Sequence, residues 1–255
     1  MKFLWALLFA GLACAQFPPS PAAPKPANAK VGASIDLTGY WVSVVTEDWR
    51  WRMVTPLKGD AASVPTNAEA RKVIDAWDPA KDEAAGLQCK AYGAAAIMRV
   101  PGRLHITWQD DNTLRIETDA GQQMRLLHFT GEAPRGAAPT WQGYSAARWE
   151  GPLPVTNPPV LFVPAPRLGA KSRSLEVVTT QLRAGYLRKN GVPYSDKTVL
   201  KEYYDRFDEP NGDNWFMVTT VVEDPVYLAI PFVTTSHFKK IADASGWHPE
   251  PCSAR

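Results

Sequence analysis

The sequence lacks a long hydrophobic run and any strong catalytic or metal-binding motif. Its most apolar stretch, Phe3 to Leu12, is too short to cross a bilayer. The nucleophile elbow of hydrolases, the phosphate-binding loop and the dinucleotide fingerprint are all missing. The four histidines also lack the spacing expected of zinc or copper ligands. We therefore predict neither a metal nor a cofactor, and these absences leave the activity open.

Charge of one sign is not in excess either. The chain has 28 Lys and Arg residues against 26 Asp and Glu residues, for a net charge of +2. Binding to nucleic acid or to an anionic membrane needs a basic excess gathered on one face of the protein. The overall composition does not suggest such an excess, so we predict no nucleic-acid partner.

Cysteine is scarce, and the first of the three, Cys14, lies in a segment with the pattern of an export signal. A basic start at Met1-Lys2 precedes the apolar run, and the small residues Ala13 and Ala15 occupy the −3 and −1 positions. We predict cleavage after Ala15 and a periplasmic or secreted product. The alternative, lipid attachment at Cys14, needs an aliphatic residue where Gly11 stands.

Export leaves Cys89 and Cys252 in an oxidising compartment, which predicts a disulfide between the body and the C-terminal tail. Two free thiols or a thiolate metal ligand are the alternatives. The predicted signal covers residues 1–15. The Pro- and Ala-rich composition of residues 16–35 predicts an extended tether. Residues 36–255 are predicted to form a single β-rich domain. No transmembrane segment is predicted in the mature chain.

Tryptophan and proline are abundant, with ten and 23 residues respectively, which favours strands and turns over helices. The pattern predicts one helix at 66–77, capped by Thr66 or Ser63, with Ala70, Val73, Ile74 and Trp77 on its apolar face. Further strands are predicted at 141–149, 175–182, 198–207, 215–222 and 232–238. The Pro-rich passage 151–172 predicts a surface loop or a lid. The expected fold is mainly β, an antiparallel meander that closes into a barrel or forms two packed sheets.

Three segments in the middle of the chain alternate apolar and polar residues and predict a meander. Matching their apolar faces pairs Ile106 with Leu114, and Ile116 with Met124. Asn211-Gly212 predicts a hairpin turn between two later strands.

The same register places His105, Arg115 and Arg125 side by side on the polar face of the meander. Neighbouring arginines repel each other, so an enclosed row needs an anionic ligand, Glu117 or another buried acid. If the face looks outward, these are ordinary solvated side chains. The row is therefore a candidate ligand site whose orientation the sequence leaves open.

Aromatic residues supply further ligand-binding candidates. Trp41, Trp49 and Trp51, with arginines between them, are placed in a first hairpin, where they form either an aromatic wall for a ligand or the sheet core and its rim. Trp108 and Tyr203 join this set.

Two histidines and two carboxylates are the catalytic candidates. His105, or His128 on the apolar side of the meander, is a possible general acid or base, with Asp205 or Glu150 as the carboxylate. The alternative for each histidine is a structural role, and for each carboxylate a pairing with arginine.

Several longer motifs resemble those of a large family of exported bacterial proteins without an established activity, found in Acidobacteria and Proteobacteria. These motifs are Trp141-Gln142-Gly143-Tyr144-Ser145 with Arg148-Trp149-Glu150-Gly151, Glu202 to Phe207, and Val222 to Tyr227. The resemblance implies an extracytoplasmic β-rich fold but no activity. Relatives often carry a histidine before the Ser195-Asp196 step, where this chain has Tyr194.

Gly39-Tyr40-Trp41 also resembles the lipocalin Gly-x-Trp signature, which implies a barrel closed around an apolar ligand. Our leading hypothesis is an exported barrel-like protein that binds a small apolar or aromatic molecule, with Trp and Tyr for contact area and an Arg or His for a polar end. The alternatives are an extracytoplasmic enzyme acting on a carbohydrate or aromatic substrate, and an envelope-associated interaction module.

Overall fold

A computed structural model describes residues 26–150 and 174–255 of the chain. The predicted signal, the first part of the predicted tether and the Pro-rich passage 151–172 lie outside the described residues. Residues 28–33, which belong to the predicted tether, form turns whose backbone and side chains hydrogen bond to Asp111 and Asn112.

The described chain forms a closed barrel of nine strands. The order around the barrel is β1-β11-β10-β9-β6-β5-β4-β3-β2, and β7 and β8 form a separate two-stranded hairpin. All barrel neighbours pair antiparallel except β4 and β5. This confirms the predicted mainly β fold and selects the barrel over two packed sheets. The strands are β1 Gly39–Val44, β2 Arg103–Asp110, β3 Thr113–Thr118, β4 Met124–His128, β5 Tyr144–Trp149, β6 Ser174–Thr180, β7 Gly185–Arg188, β8 Val192–Tyr194, β9 Val199–Asp208, β10 Asn214–Glu223 and β11 Phe232–Ile241.

Short helices follow β1, where the sequence predicts only one helix. They are α1 Trp49–Arg52, α2 Ala68–Ala76, α3 Pro79–Ala84 and α4 Ala94–Ile97, with a 3-10 helix at Gln88–Tyr92. The predicted helix is α2, and Ala70 and Ile74 of its predicted apolar face are buried, whereas Val73 and the C-cap residue Trp77 are only partly buried. Its cap, however, is Asn67, whose side chain accepts hydrogen bonds from two backbone N–H groups of the first turn. The first hairpin was a wrong prediction, because the Trp49 segment is a helical turn and β1 pairs with β2 and β11.

Two insertions close one end of the barrel. One is the helical segment 45–102 between β1 and β2, and the other is the segment 181–198, which carries the β7–β8 hairpin between β6 and β9. The two pack on each other through α2 with β8 and α4 with β7. We call them together the end cap. The predicted disulfide, Cys89–Cys252, is formed and ties the C-terminal tail to the end cap.

Side chains fill the centre of the barrel. Trp41, Tyr204, Phe216 and Phe238 are fully or almost fully buried there, and the Phe216 ring lies 4.7 Å from the rings of both Trp41 and Phe238. Small barrels are either filled by side chains or hold one small ligand. Among the described residues, aromatic side chains pack at the centre, and the closure around an apolar molecule that the lipocalin-like signature implies stays a prediction.

The predicted register of the meander is wrong in both hairpins. In the structure Ile106 pairs with Ile116, and Ile116 pairs with Arg125. A bulge near Trp108 and a longer turn at residues 118–123, with left-handed backbone at Gly121 and Gln122, account for the shifts. Because a shift of one residue exchanges the two faces of a strand, β4 turns Arg125 inward and leaves Met124 half exposed.

Candidate anion-binding site

The predicted row of His105, Arg115 and Arg125 is split by this register. His105 and Arg115 lie on the outer face, where both contact Glu117, at 3.2 Å from His105 Nδ1 and 3.0 Å from Arg115 Nη2. The His105 ring also stacks on Tyr40, with ring centres 4.1 Å apart. One surface carboxylate thus supplies the anion for both side chains. Arg125 is not part of this group.

Arg125 lies inside the barrel in a bidentate ion pair with Glu202. Its two terminal nitrogens are 3.0 and 2.6 Å from the carboxylate oxygens, and both side chains are completely buried. Ser145 and Thr179 offer hydroxyls at 3.4 Å from Nη2. The carboxylate of Glu202 outweighs the effect of burial and raises the pKa of Arg125, which keeps the guanidinium charged. Arg125 is therefore a structural residue here, with its anion built into the fold.

The histidine and carboxylate candidates are not brought together. Asp205 lies on β9, separated from His105 by three barrel strands, and its carboxylate accepts a hydrogen bond from Ser174. His128 lies on the outer face and not on the predicted apolar side, because the one-residue register shift exchanges the two faces of β4. Its ring stacks on Tyr144. Burial lowers the pKa of His128. His128 pairs with Ala146 on β5, and Glu150 lies four residues further along the chain. This spacing separates Glu150 from His128 by about 13 Å along the strand direction.

The predicted aromatic wall is not formed, because its three tryptophans lie in different surroundings. Trp41 is in the barrel core, Trp49 is 67% exposed, and Trp51 lines a cleft in the end cap. Trp108 packs beside Phe129 and Trp149 towards the opposite end of the barrel, and Tyr203 is half-buried on the outer face.

The cleft beside Trp51 is where the end cap collects buried positive charge. It has a volume of about 40 Å³ and is lined by residues from α1, from α4 with the turn after it, and from β7. Three arginines on its walls, Arg52, Arg99 and Arg188, are each 5–7% exposed. A buried arginine normally has a carboxylate partner. With three buried arginines around one cleft, the question is which of their N–H donors have an acceptor.

Two of these arginines have carboxylate partners and still keep one free donor. Arg52 reaches Glu47 at 2.6 Å and the backbone carbonyl of Arg99 at 2.9 Å, and Arg99 reaches Asp48 at 2.8 Å. Asp48 adopts left-handed backbone just before α1, a conformation that aspartate tolerates better than most residues. Arg52 Nη2 and Arg99 Nη1 are buried and have no hydrogen-bond partner among the described residues.

Arg188 has no carboxylate within hydrogen-bond distance in the described part of the chain. It donates to the carbonyl of Ala62 at 2.8 Å and to the hydroxyl of Ser63 at 3.0 Å, while its Nε is buried without a partner. Burial and the nearby positive charge of Arg99 lower the pKa of Arg188 to about 10. Burial, with Arg99 again contributing, also lowers the pKa of Arg52. The cleft is thus a place where positive charge is concentrated and incompletely compensated.

Aromatic and turn geometry hold these groups in place. Two guanidinium groups lie near the Trp51 ring, with Arg50 at 5.1 Å and Arg188 at 4.8 Å from its centre. The β7–β8 turn, which follows Arg188, packs tightly on Trp77: Gly191 has a φ of +83°, and a Cβ there would lie 2.2 Å from the indole. The arrangement presents guanidinium donors beside a flat aromatic surface, which suits a compact anionic group attached to an apolar or aromatic body.

The sequence alone did not point to this site. Trp51, Arg50 and Arg52 stand out as a local group of aromatic and basic residues, but Arg99 and Arg188 follow at distances of 47 and 136 positions from Arg52. A side chain that faces a cleft between two insertions carries no periodic signal.

Comparisons with family models, with curated proteins and with solved structures found no match. Within residues 26–150 and 174–255, no group of three or more His, Cys, Asp or Glu side chains has the geometry of a metal site. The helices described there are all too short or too polar to span a membrane.

Proposed function

We propose that this is an exported binding protein whose ligand is a small molecule with an anionic group, held in the arginine cleft of the end cap. The observation that carries the proposal is the set of three buried guanidinium groups with free N–H donors, of which Arg188 has no carboxylate partner within residues 26–150 and 174–255. An unsatisfied buried donor costs stability, and a bound carboxylate or phosphate oxygen removes that cost.

The size and the walls of the cleft indicate the chemistry of the ligand. A volume of about 40 Å³ accepts a compact group such as a carboxylate. The rest of the molecule then contacts the apolar lining residues Trp51, Val54 and Pro101. The proposal keeps the sequence-based expectation of aromatic contact with an arginine for the polar end. The proposal replaces Arg115 and Arg125 with Arg52, Arg99 and Arg188, and it moves the site from the barrel to the end cap.

Isothermal titration with benzoate, phosphate and neutral benzamide tests this function. We expect benzoate and phosphate to bind and benzamide to bind at least tenfold more weakly, since its carbonyl oxygen accepts hydrogen bonds but carries no charge to pair with the guanidinium groups. Arg188→Met should weaken benzoate binding at least tenfold. Arg148→Met is the matched control, because Arg148 is an exposed arginine on β5 that pairs with Glu176.

Two results contradict the proposal. One is benzamide binding as tightly as benzoate, which assigns recognition to the aromatic ring alone. The other is Arg188→Met that folds normally and binds benzoate like the unchanged protein.

A further inference from the structure

The end cap exposes an unusual amount of apolar side chain in one short segment. Of the eight large apolar side chains that are exposed among the described residues, four lie within residues 49–57. Trp49, Met53, Val54 and Leu57 are 67, 58, 64 and 82% exposed respectively. We call these four residues the apolar edge. Apolar groups gathered on a surface mark sites of contact with a partner or a membrane more often than single exposed residues do.

The backbone of this segment is held firmly although its side chains are exposed. Asn190, itself fully buried, donates to the carbonyls of Leu57 and Asp60 at 2.8 and 2.9 Å. Arg71 donates to the carbonyl of Gly59 at 2.8 Å. Trp49 and Met53 are one helical turn apart and are joined by a backbone hydrogen bond of 2.9 Å. The exposure of the apolar edge is therefore fixed by the fold, with its side chains presented outward.

Cations outnumber carboxylates around the apolar edge, although three of these cations are buried and Arg50 pairs with Asp60 at 2.8 Å. Arg50, with a side chain 65% exposed, and the exposed Lys58 lie in the same segment. Counting the walls of the adjoining clefts, six cations face four carboxylates. The cations are Arg50, Arg52, Lys58, Arg99, Arg188 and Lys189, and the carboxylates are Glu47, Asp48, Asp60 and Glu250. The local basic excess that the overall composition did not suggest is thus present at this end of the barrel.

We propose that the apolar edge docks the protein on the surface of an anionic lipid bilayer. Trp49 and Leu57 enter the interface between headgroups and acyl chains, where tryptophan is favoured, and Arg50 and Lys58 meet the lipid phosphates. A protruding segment needs no complementary pocket on a fluid bilayer, whereas a protein partner has to supply one. Trp49 and Leu57 do not line the arginine cleft, so substituting these two residues tests the docking without removing a wall of the cleft.

Cosedimentation of the purified full chain with vesicles tests this docking. We compare phosphatidylglycerol vesicles with phosphatidylcholine vesicles, using the unchanged protein, the double variant Trp49→Ser/Leu57→Ser, and Val31→Ser. Val31 is 72% exposed beside the β2–β3 turn, at the opposite end of the barrel, so it is the matched control. We expect binding to phosphatidylglycerol that weakens with salt, falls at least tenfold in the double variant and is unchanged in Val31→Ser.

Equal binding of the double variant and the unchanged protein overturns the proposal, as does a failure of the unchanged protein to bind phosphatidylglycerol. A dimer in light scattering that the double variant loses, without any vesicle binding, assigns the apolar edge to a second copy and also overturns it. Arg188→Met should bind vesicles normally while losing benzoate, which separates this proposal from the proposed function.

Discussion

Two regions of the molecule bury arginine, and they treat the guanidinium group differently. Inside the barrel, Arg125 faces Glu202 with both terminal nitrogens and has two hydroxyls nearby, and only its Nε lacks a partner. In the end cap, three arginines share two carboxylates, and each keeps a free donor beside a cleft. Burying a charge is costly unless it is paired, so the barrel carries its own anion while the end cap leaves room for one. The comparison shows that burial alone does not make an arginine a ligand residue.

Breaking the barrel pair should have the largest effect. Glu202→Gln leaves the Arg125 charge buried without its counterion, and we expect the free energy of unfolding to fall by about 3–5 kcal/mol. Urea unfolding followed by tryptophan fluorescence measures the loss. The double variant Arg125→Met/Glu202→Leu should recover most of it, because no buried charge remains. A loss below about 1 kcal/mol in Glu202→Gln contradicts a structural role for the pair.

The disulfide should have the next largest effect, and it acts on the end cap. Cys89→Ser/Cys252→Ser removes a cross-link between residues 163 positions apart, which should lower the free energy of unfolding by about 2–4 kcal/mol. Reducing the unchanged protein with dithiothreitol should reproduce the loss. Protein that unfolds at the same urea concentration with and without reductant shows instead that the tail does not stabilise the end cap.

A carboxylate between the two regions should set the acid limit of stability. Burial opposes ionisation of Asp224, but hydrogen bonds from Thr198, Ser195, Tyr227 and Val226 together lower its pKa below the ordinary 3.8. Because the folded pKa is the lower one, Asp224 stabilises the fold above about pH 4, and this contribution is lost as the pH falls through the folded pKa.

Asp224→Asn should therefore lower stability at pH 7 by about 1–3 kcal/mol, with the difference shrinking towards pH 2. Urea unfolding at pH 7, 4 and 2.5 measures it. A deficit that stays constant over this range indicates lost packing and not lost charge.

Replacing an end-cap arginine should cost the least in stability. The pKa of Arg188, lowered to about 10, means that the folded protein holds this proton less tightly than the unfolded chain, so the charge disfavours folding at every pH below about 10. Without added anion, Arg188→Met should change the free energy of unfolding by less than about 1 kcal/mol.

The same variant should lose stabilisation by ligand. Benzoate at 100 times its Kd should stabilise the unchanged protein by about 2.7 kcal/mol and Arg188→Met hardly at all. A large loss of stability without ligand places Arg188 with Arg125 as a structural residue and removes the contrast between the two regions.

Pattern-based reasoning predicted the elements that depend on periodicity. The barrel strands, the buried residues of α2 and the Asn211-Gly212 turn between β9 and β10 follow from local sequence, and the cysteine count predicted the disulfide. The register of the meander was not predicted, because alternation of apolar residues reveals neither the bulge near Trp108 nor the length of the turn at 118–123. That error placed Arg125 on the wrong face.

The motifs that resemble an exported family have structural roles in this chain. Glu202 and Ser145 belong to the buried network around Arg125, and Asp224 fixes the turn after β10. Tyr194, just before the Ser195-Asp196 step, is fully buried beside Gly93 and Gly185. These motifs therefore account for the fold. The arginine cleft combines separate segments of the two insertions, so no local pattern predicts it.

A crystal structure with 4-bromobenzoate tests the contrast between the two regions most directly, because bromine marks the ligand by its anomalous signal. We predict the carboxylate within hydrogen-bond distance of Arg188 and of Arg52 or Arg99, with the ring against Trp51 and the Arg125–Glu202 pair unchanged. A cleft that holds only water at saturating 4-bromobenzoate, with its arginine donors satisfied by that water, would contradict the account.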